Sequence, residues 1–366
     1  ISDNKVVGVT YTDLITGASQ QVTAPVVYNV AGPWIDRVFT SNSQLPSQPR
    51  LNGGTKGSHL IVNKFPGAPK EVIYYETRTD GRLILVIPWL NKFMLGTTDI
   101  RWDEDPDDAR CDIGELEYLL REVNALIPAA NLKYEDVLYT YSGVRPLPYE
   151  PEKDESAVTR THILFDHNSN GLPGLVTVVG GKLTTFRQLA EDAVTDLNNR
   201  LSNKVMKSKT RNRTLPGGKF KNFEDLISEL ILLGAPKLVA ERIARIYGSR
   251  ALEIWNIAEL NQKSAELIDS KIGLSRAEVE YVLVEEFPRT LADLMARRLI
   301  LAFEAGHGLN IVEEIAQIAA GKLGWNIDKT TRQIEEYKNW LDHLAIPDPN
   351  GPRSTHFGAK QLSESK

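Results

Sequence analysis

Short apolar, β-branched runs bounded by Gly, Pro, Asn and Asp occupy residues 57–63, 82–88, 93–98, 137–141, 162–166 and 175–179. Runs of this length between turn formers predict strands. The runs 82–89 and 93–98 follow one another so closely that they predict a tight antiparallel hairpin. The opening reads the same way. Val6, Val7, Val9 and Tyr11 precede the turn Thr16-Gly17-Ala18, then Val22 and the apolar Val26-Val27-Tyr28. Helical periodicity interrupts the strands at 113–127 and 183–201, so residues 1–201 predict an α+β domain with a mixed or antiparallel sheet.

The pattern changes near Ser202. Residues 202–221 are rich in Lys, Arg, Asn and Ser and contain Leu215-Pro216-Gly217-Gly218, which predicts a linker. From 222 to 345 the period is helical throughout: Leu226, Leu230 and Leu233, then Leu238, Ile243 and Ile246, then helices over 276–286, 290–305, 311–323 and 329–344. Residues 261–273 show no apolar face, and the Pro/Gly/Ser-rich stretch 346–366 predicts a disordered tail. An α+β domain therefore precedes an all-α one.

Composition narrows the function. With 43 Lys+Arg against 48 Asp+Glu in 366 residues, the net charge of −5 lacks the basic footprint of a nucleic-acid binder. The single cysteine, Cys111, rules out an internal disulfide, and no apolar run is long enough to span a bilayer. Ile1 rather than Met begins a segment that already reads as mid-domain β-structure, so a fragment lacking an N-terminal part is expected.

No His spacing suits a metal, and the acidic neighbourhood of Cys111 disfavours a reactive thiolate. Three other segments carry candidate chemistry. The glycine-rich stretch around Gly53-Gly54-Thr55-Lys56-Gly57-Ser58-His59 runs into a strand, so it lacks the helix start that aims amides at an anion. Gly180-Gly181-Lys182-Leu183-Thr184-Thr185 has the better context, following a strand and opening a helix. It can be a flavin or phosphate cradle, or simply a glycine-capped turn. Arg145, in Tyr141-Ser142-Gly143-Val144-Arg145-Pro146-Leu147, can fork onto a carboxylate or phosphate, or be paired within the protein.

Taken in order, Lys56-Gly57-Ser58-His59, Val86-Ile87-Pro88-Trp89 with Gly96-Thr97-Thr98-Asp99, the Arg145 segment and the Gly180 segment resemble the FAD-dependent glycerol-3-phosphate dehydrogenases of the respiratory, quinone-reducing kind. The resemblance continues through Leu215-Pro216-Gly217-Gly218, Ala244-Arg245-Ile246-Tyr247-Gly248 and Glu285-Glu286-Phe287-Pro288-Arg289-Thr290 with Ala296-Arg297-Arg298, to about Leu344. That family opens with a Gly-x-Gly-x-x-Gly unit for the FAD pyrophosphate, which this sequence does not contain. The expected fold is thus a substrate domain with the remnant of an FAD-binding domain, then a helical domain.

The resemblance implies FAD as cofactor and oxidation of sn-glycerol 3-phosphate to dihydroxyacetone phosphate, with electrons passed to quinone in glycerol metabolism. Arg145 would grip the phosphate bidentately, and His59 would take the C2 hydroxyl proton with a pKa near the working pH. Lys182 would place positive charge beside substrate and flavin. Ala31, Gly32, Gly180, Gly181, Lys182, Leu183 and Thr184 would line the cofactor. It further implies a cytoplasmic protein held peripherally on an anionic membrane surface (the inner mitochondrial membrane in a eukaryote), with a homodimer possible. The basic residues from Lys204 to Lys209, with Arg211 and Arg213, are the local candidates for docking. Two other functions fit these patterns: a glycerophosphate oxidase using O2, and a non-catalytic helical interaction module.

Overall fold

The computed structural model describes residues 1–40, 45–201 and 207–353, so the expectations for 202–206, including Lys204, and for 354–366 lie outside the described residues. The chain divides into two compact units, one of Ile1–Arg211 with His343–Lys366 and the other of Asn212–Asp342.

In the first unit, β1 (Gly8–Thr12) and β2 (Ser19–Thr23) form the expected hairpin, with Thr12 opposite Ser19. The strand β3 (Val27–Asn29) leads to a 3-10 turn, Gly32–Trp34, and the short helix α1 (Arg37–Thr40). The main sheet uses β4 (Thr55–Val62), β5 (Ile73–Glu76), β6 (Leu83–Trp89), β7 (Lys92–Gly96), β8 (Ile100–Arg101) and β9 (Val137–Arg145). Its order is β5-β6-β7-β4-β8, with β9 also on β4, and every pairing is antiparallel. The close spacing of β6 and β7 gives the anticipated hairpin, in which Trp89 faces Lys92 and Leu90 takes a left-handed conformation at φ 54°.

β4 is buried along almost its whole length, so its polar residues find partners inside: Thr55 accepts from Arg145, Lys56 pairs with Glu115 and Ser58 donates to Glu115. The helix α2 (Ile113–Leu126) closes one face of the sheet. Leu60, Leu95, Leu116 and Leu119 are fully buried in this core, each contributing about 2 kcal/mol of burial energy. Asp112 caps α2 by accepting from the Glu115 amide, while the Glu115 carboxylate accepts from the Asp112 amide.

A smaller sheet orders β10 (Ile163–Asp166), β11 (Leu175–Val179) and β3. β11 runs antiparallel to β10 and parallel to β3. The helix α3 (Phe186–Arg200) follows a 3-10 turn, Leu183–Thr185, so the helical conformation expected from Leu183 starts tighter and becomes α only at Phe186. No residue of α3 is buried.

The second unit holds α4 (Phe223–Leu232), α5 (Lys237–Tyr247), α6 (Ala251–Leu260), the strand pair β12 (Leu267–Asp269) and β13 (Leu274–Ser275), α7 (Arg276–Glu285), α8 (Val312–Leu323) and α9 (Ile327–Trp340). Three details differ from the sequence reading. Residues 261–273 include β12. The expected continuous helix 290–305 becomes a π-helical stretch, Asp293–Arg298, and a separate 3-10 turn, Leu301–Phe303, broken at Ile300 with φ 53°. There the buried Arg242 guanidinium takes the Leu299 carbonyl at 2.7 Å, diverting it from a helical ladder. Finally, the mostly exposed stretch 212–221 is tied down at two points: Ser249 N donates to Gly217 O, and Gly248 lies against Phe220.

The 346–366 stretch was expected to be disordered. Its described part instead packs within the first unit: Tyr134 OH donates to Pro347 O at 2.9 Å, next to Ala345, whose carbonyl accepts from Thr140 Oγ1 at 2.6 Å. Ile346 packs on the sheet–α2 core, and this apolar anchor outweighs the polar composition around it.

Candidate functional site

β4 and β9 set the geometry. Their antiparallel register places Thr55 opposite Arg145, Gly57 opposite Gly143 and His59 opposite Tyr141, so His59 and Arg145 come from neighbouring strands. Two glycines make room for them. A Cβ on Gly57 would collide with the Arg145 guanidinium, and one on Gly96 would collide with the His59 ring. The motif glycines are therefore clearance for side chains rather than a phosphate loop.

The His59 ring stacks on Tyr141 with centroids 4.7 Å apart and planes 8° apart. Its Nδ1 is sealed from solvent without a hydrogen-bond partner. Burial, reinforced by the nearby Arg145 charge, pushes its pKa down to about 4. The expectation of a pKa near the working pH therefore does not hold for this chain. At neutral pH the His59 ring is uncharged, with one nitrogen able to accept a proton.

Arg145 is more occupied than the sequence suggested. Nη1 donates to Asp99 Oδ1 at 2.9 Å and to Thr55 Oγ1 at 3.4 Å. Nη2 donates to Thr97 Oγ1 at 3.0 Å and to Thr98 O at 3.1 Å. The fork is thus held by the β7–β8 loop instead of standing idle. Burial lowers its pKa and the Asp99 carboxylate pulls it back up; guanidinium remains charged. Asp99 also takes Arg160 Nη2 on Oδ2 at 3.2 Å, and its carbonyl accepts from Arg82 Nη1. Two guanidinium groups thus share the Asp99 carboxylate while a third, Arg82, holds its carbonyl and pairs with Asp80 at 3.2 Å; three positive charges face two carboxylates, and the remaining positive charge is one that an anion would neutralise.

Asp99, Arg160 and Tyr141 were missed as participants by the sequence reading. Asp99 ends the Gly96-Thr97-Thr98-Asp99 motif, which was the available signal. Arg160 lies in a segment with no local pattern, and only the fold brings it to Asp99.

The remaining candidates gather at the carboxyl ends of β3 and β11, where parallel strands of α/β sheets present ligands. Ala31 N donates to Asn29 Oδ1, and the Ala31 side chain packs with Ile35, Leu51 and Val179. Gly32, Gly180 and Gly181 have φ of 61°, 78° and 96°, conformations glycine adopts without strain. Gly180 lies against Thr161 O and Pro148, and Gly181 against His162. The turn is thereby joined to the segments that carry Arg145 and Arg160. Lys182, Leu183 and Thr184 are exposed, and Lys182 forms no ion pair among the described residues. The amides of Leu183 and Thr184 lie in a first helical turn, where backbone donors lack intrahelical partners.

This strip fits the ring end of FAD on two observations. Its glycines keep the backbone bare, and Val30, Trp34, Leu183 and Phe186 stand exposed around it, Leu183 at 89%. Residues 31, 32 and 180–184 would hold the cofactor there. Among the described residues no group of His, Cys, Asp and Glu could hold a metal ion, and no helix is long and apolar enough to cross a membrane.

Comparison with known proteins gives the family and the fold. Residues 1–187 match the family model described as FAD dependent oxidoreductase, and residues 208–330 match the C-terminal domain of alpha-glycerophosphate oxidase. A glycerol-3-phosphate dehydrogenase of Synechocystis sp. is 34% identical over 337 residues, 88% of this chain and 60% of the relative. An aerobic glycerol-3-phosphate dehydrogenase of Staphylococcus haemolyticus is 33% identical over 95% of the chain and 62% of the relative. The chain thus spans about three fifths of the length of these relatives. A solved glycerol-3-phosphate dehydrogenase of Bacillus halodurans, complexed with FAD, superposes with a TM-score of 0.78 at 26% identity, covering 97% of this chain and 69% of that one. The chain belongs to the FAD-dependent oxidoreductases, with a mixed-sheet domain followed by the helical C-terminal domain of the alpha-glycerophosphate oxidase type.

Proposed function

We propose that this chain carries the substrate side of an enzyme that oxidises sn-glycerol 3-phosphate to dihydroxyacetone phosphate. The observation that carries the reading is the sharing of one carboxylate, Asp99, by the two guanidinium groups of Arg145 and Arg160, one strand away from a neutral His59. A phosphate suits that excess of guanidinium donors, since its oxygens can accept from both forks at once. It would take donors from Arg145 and Arg160 in exchange for the Asp99 carboxylate.

FAD, when bound, supplies a two-electron acceptor for the C2–H bond pair. His59 would take the C2 hydroxyl proton, for which Nδ1 is ill placed because it is sealed, leaving Nε2. Burial is the main cause of the low imidazole pKa; neutralising Arg145 with the phosphate would relieve only the smaller, electrostatic part of it. Lys182 and the amides of Leu183 and Thr184 would add positive charge where negative charge gathers.

Calorimetric titration of the purified chain with glycerol 3-phosphate tests this reading directly. Binding that disappears in Arg145→Ala supports it. Equal binding by both proteins, or none by the parent, overturns it. Addition of FAD to the same sample, followed by absorbance and dialysis, tells whether the glycine strip retains a flavin.

The final acceptor belongs to the same proposal. The resemblance favours quinone, whereas the helical unit matches a domain named for an oxidase, which favours O2. Comparing turnover with a soluble quinone and with dissolved O2 separates them. Peripheral attachment to an anionic membrane and a homodimer are further parts of the reading, tested by vesicle sedimentation and by light scattering.

A further inference from the structure

Glu115 lies outside the reacting groups, yet its carboxylate is engaged by four donors. It occupies the first turn of α2 and is completely buried. Its Oε1 accepts from Thr98 Oγ1 at 2.6 Å and from Ser58 Oγ at 2.8 Å. Its Oε2 accepts from the Asp112 amide at 3.0 Å and pairs with Lys56 Nζ at 2.9 Å. Four donors share two oxygens, two apiece. Burial pushes the carboxyl upward and Lys56 pulls it back, while the donor set leaves no lone pair for a proton.

The protons around it are also fixed. Thr98 Oγ1 spends its hydrogen on Glu115 and so can accept from the Ser58 amide, as it does at 2.8 Å. Ser58 Oγ likewise spends its hydrogen on Glu115, so Ser142 must donate in the 2.7 Å contact between the two hydroxyls. Glu115 therefore orders both the β7–β8 loop and the β4 residue that precedes His59. That loop supplies Thr97 Oγ1, Thr98 O and Asp99 Oδ1 to Arg145.

We propose that Glu115, braced by Lys56, is a positioning residue that sets the aim of the Arg145 guanidinium through Thr98 and so tunes affinity for the phosphate end of the substrate. The proposal rests on the function proposed above. Glu115→Gln keeps the length but turns one acceptor into a donor, which faces Lys56 or the two hydroxyls with the wrong polarity.

The test compares glycerol 3-phosphate binding by calorimetry in four proteins: the parent, Arg145→Ala, Glu115→Gln and Val123→Ala. Val123 is buried in the same core but touches none of these polar groups, so it controls for plain destabilisation. The expected result is affinity lost in Arg145→Ala, weakened about tenfold in Glu115→Gln, and kept in Val123→Ala at a matched fall in melting temperature. In the FAD-loaded enzyme the Glu115→Gln loss should fall on KM with kcat preserved. Parent-like affinity in Glu115→Gln, or an equal loss in Val123→Ala, overturns the positioning role alone. Parent-like affinity in Arg145→Ala overturns the function itself.

Discussion

At the scale of single residues, the site depends on how charge is shared. Arg145→Lys keeps a positive charge but cannot serve Asp99, Thr97 and Thr98 at once. The expected outcome is a rise of ten- to a hundredfold in KM for glycerol 3-phosphate, about 2 kcal/mol, read from steady-state kinetics of the FAD-loaded enzyme. His59 yields a prediction about stability. Its folded pKa of about 4 lies below the ordinary 6.5, so between these values the unfolded chain binds more protons than the folded one. Stability therefore rises with pH through that window and falls as pH drops from 6.5 towards 4. His59→Gln should remove this part of the pH dependence; superimposable melting curves against pH for the two proteins would refute it. The sequence displayed His59 and Arg145 as motif residues, but their electrostatics arise from burial and from each other. That could not be read from neighbours in the chain.

At the scale of elements, β4 and β7 show why glycine is needed within strands. Gly57 and Gly96 stand under the Arg145 and His59 side chains, where any Cβ would displace them. Gly57→Ala should lower affinity for glycerol 3-phosphate at least tenfold while the melting temperature moves by only a few degrees, because a flexible guanidinium gives way before the sheet does. A binding titration alongside a thermal melt decides the matter, and unchanged affinity would remove the steric argument. The strands 82–89 and 93–98 and the helix after Asp112 were legible because their signals are local: apolar runs between turn formers, and helical periodicity. The interruption of 290–305 was not. Its apolar spacing is helical, but the break comes from Arg242, over 50 residues away, claiming the Leu299 carbonyl.

At the scale of the whole molecule, each unit carries its own buried ion pair, and neither was marked by the sequence. In the first it is Lys56–Glu115, beside the site. In the second, Arg242 makes a bidentate contact with Glu278 at 2.8 and 3.1 Å, joined by Tyr247 OH at 3.0 Å. Removing one partner of such a pair strands the other charge in the interior. Arg242→Met should cost the helical unit about 3–5 kcal/mol, seen as faster hydrogen exchange in α5 and α7 under mild urea. Unaltered exchange there would show that Glu278 finds another partner. By itself the sequence determined most of the longer strands and helices, the sequence of an α+β part followed by a helical part, and the motif residues, because periodicity, turn formers and glycine placement act over a few neighbouring positions. Only the tertiary structure decided that Arg160 and Arg82 join Arg145 on Asp99, that Glu115 braces the loop behind them, and that His59 is held neutral. Those properties come from strand register and shared burial, which bring together groups from distant parts of the chain and set the field that each one feels.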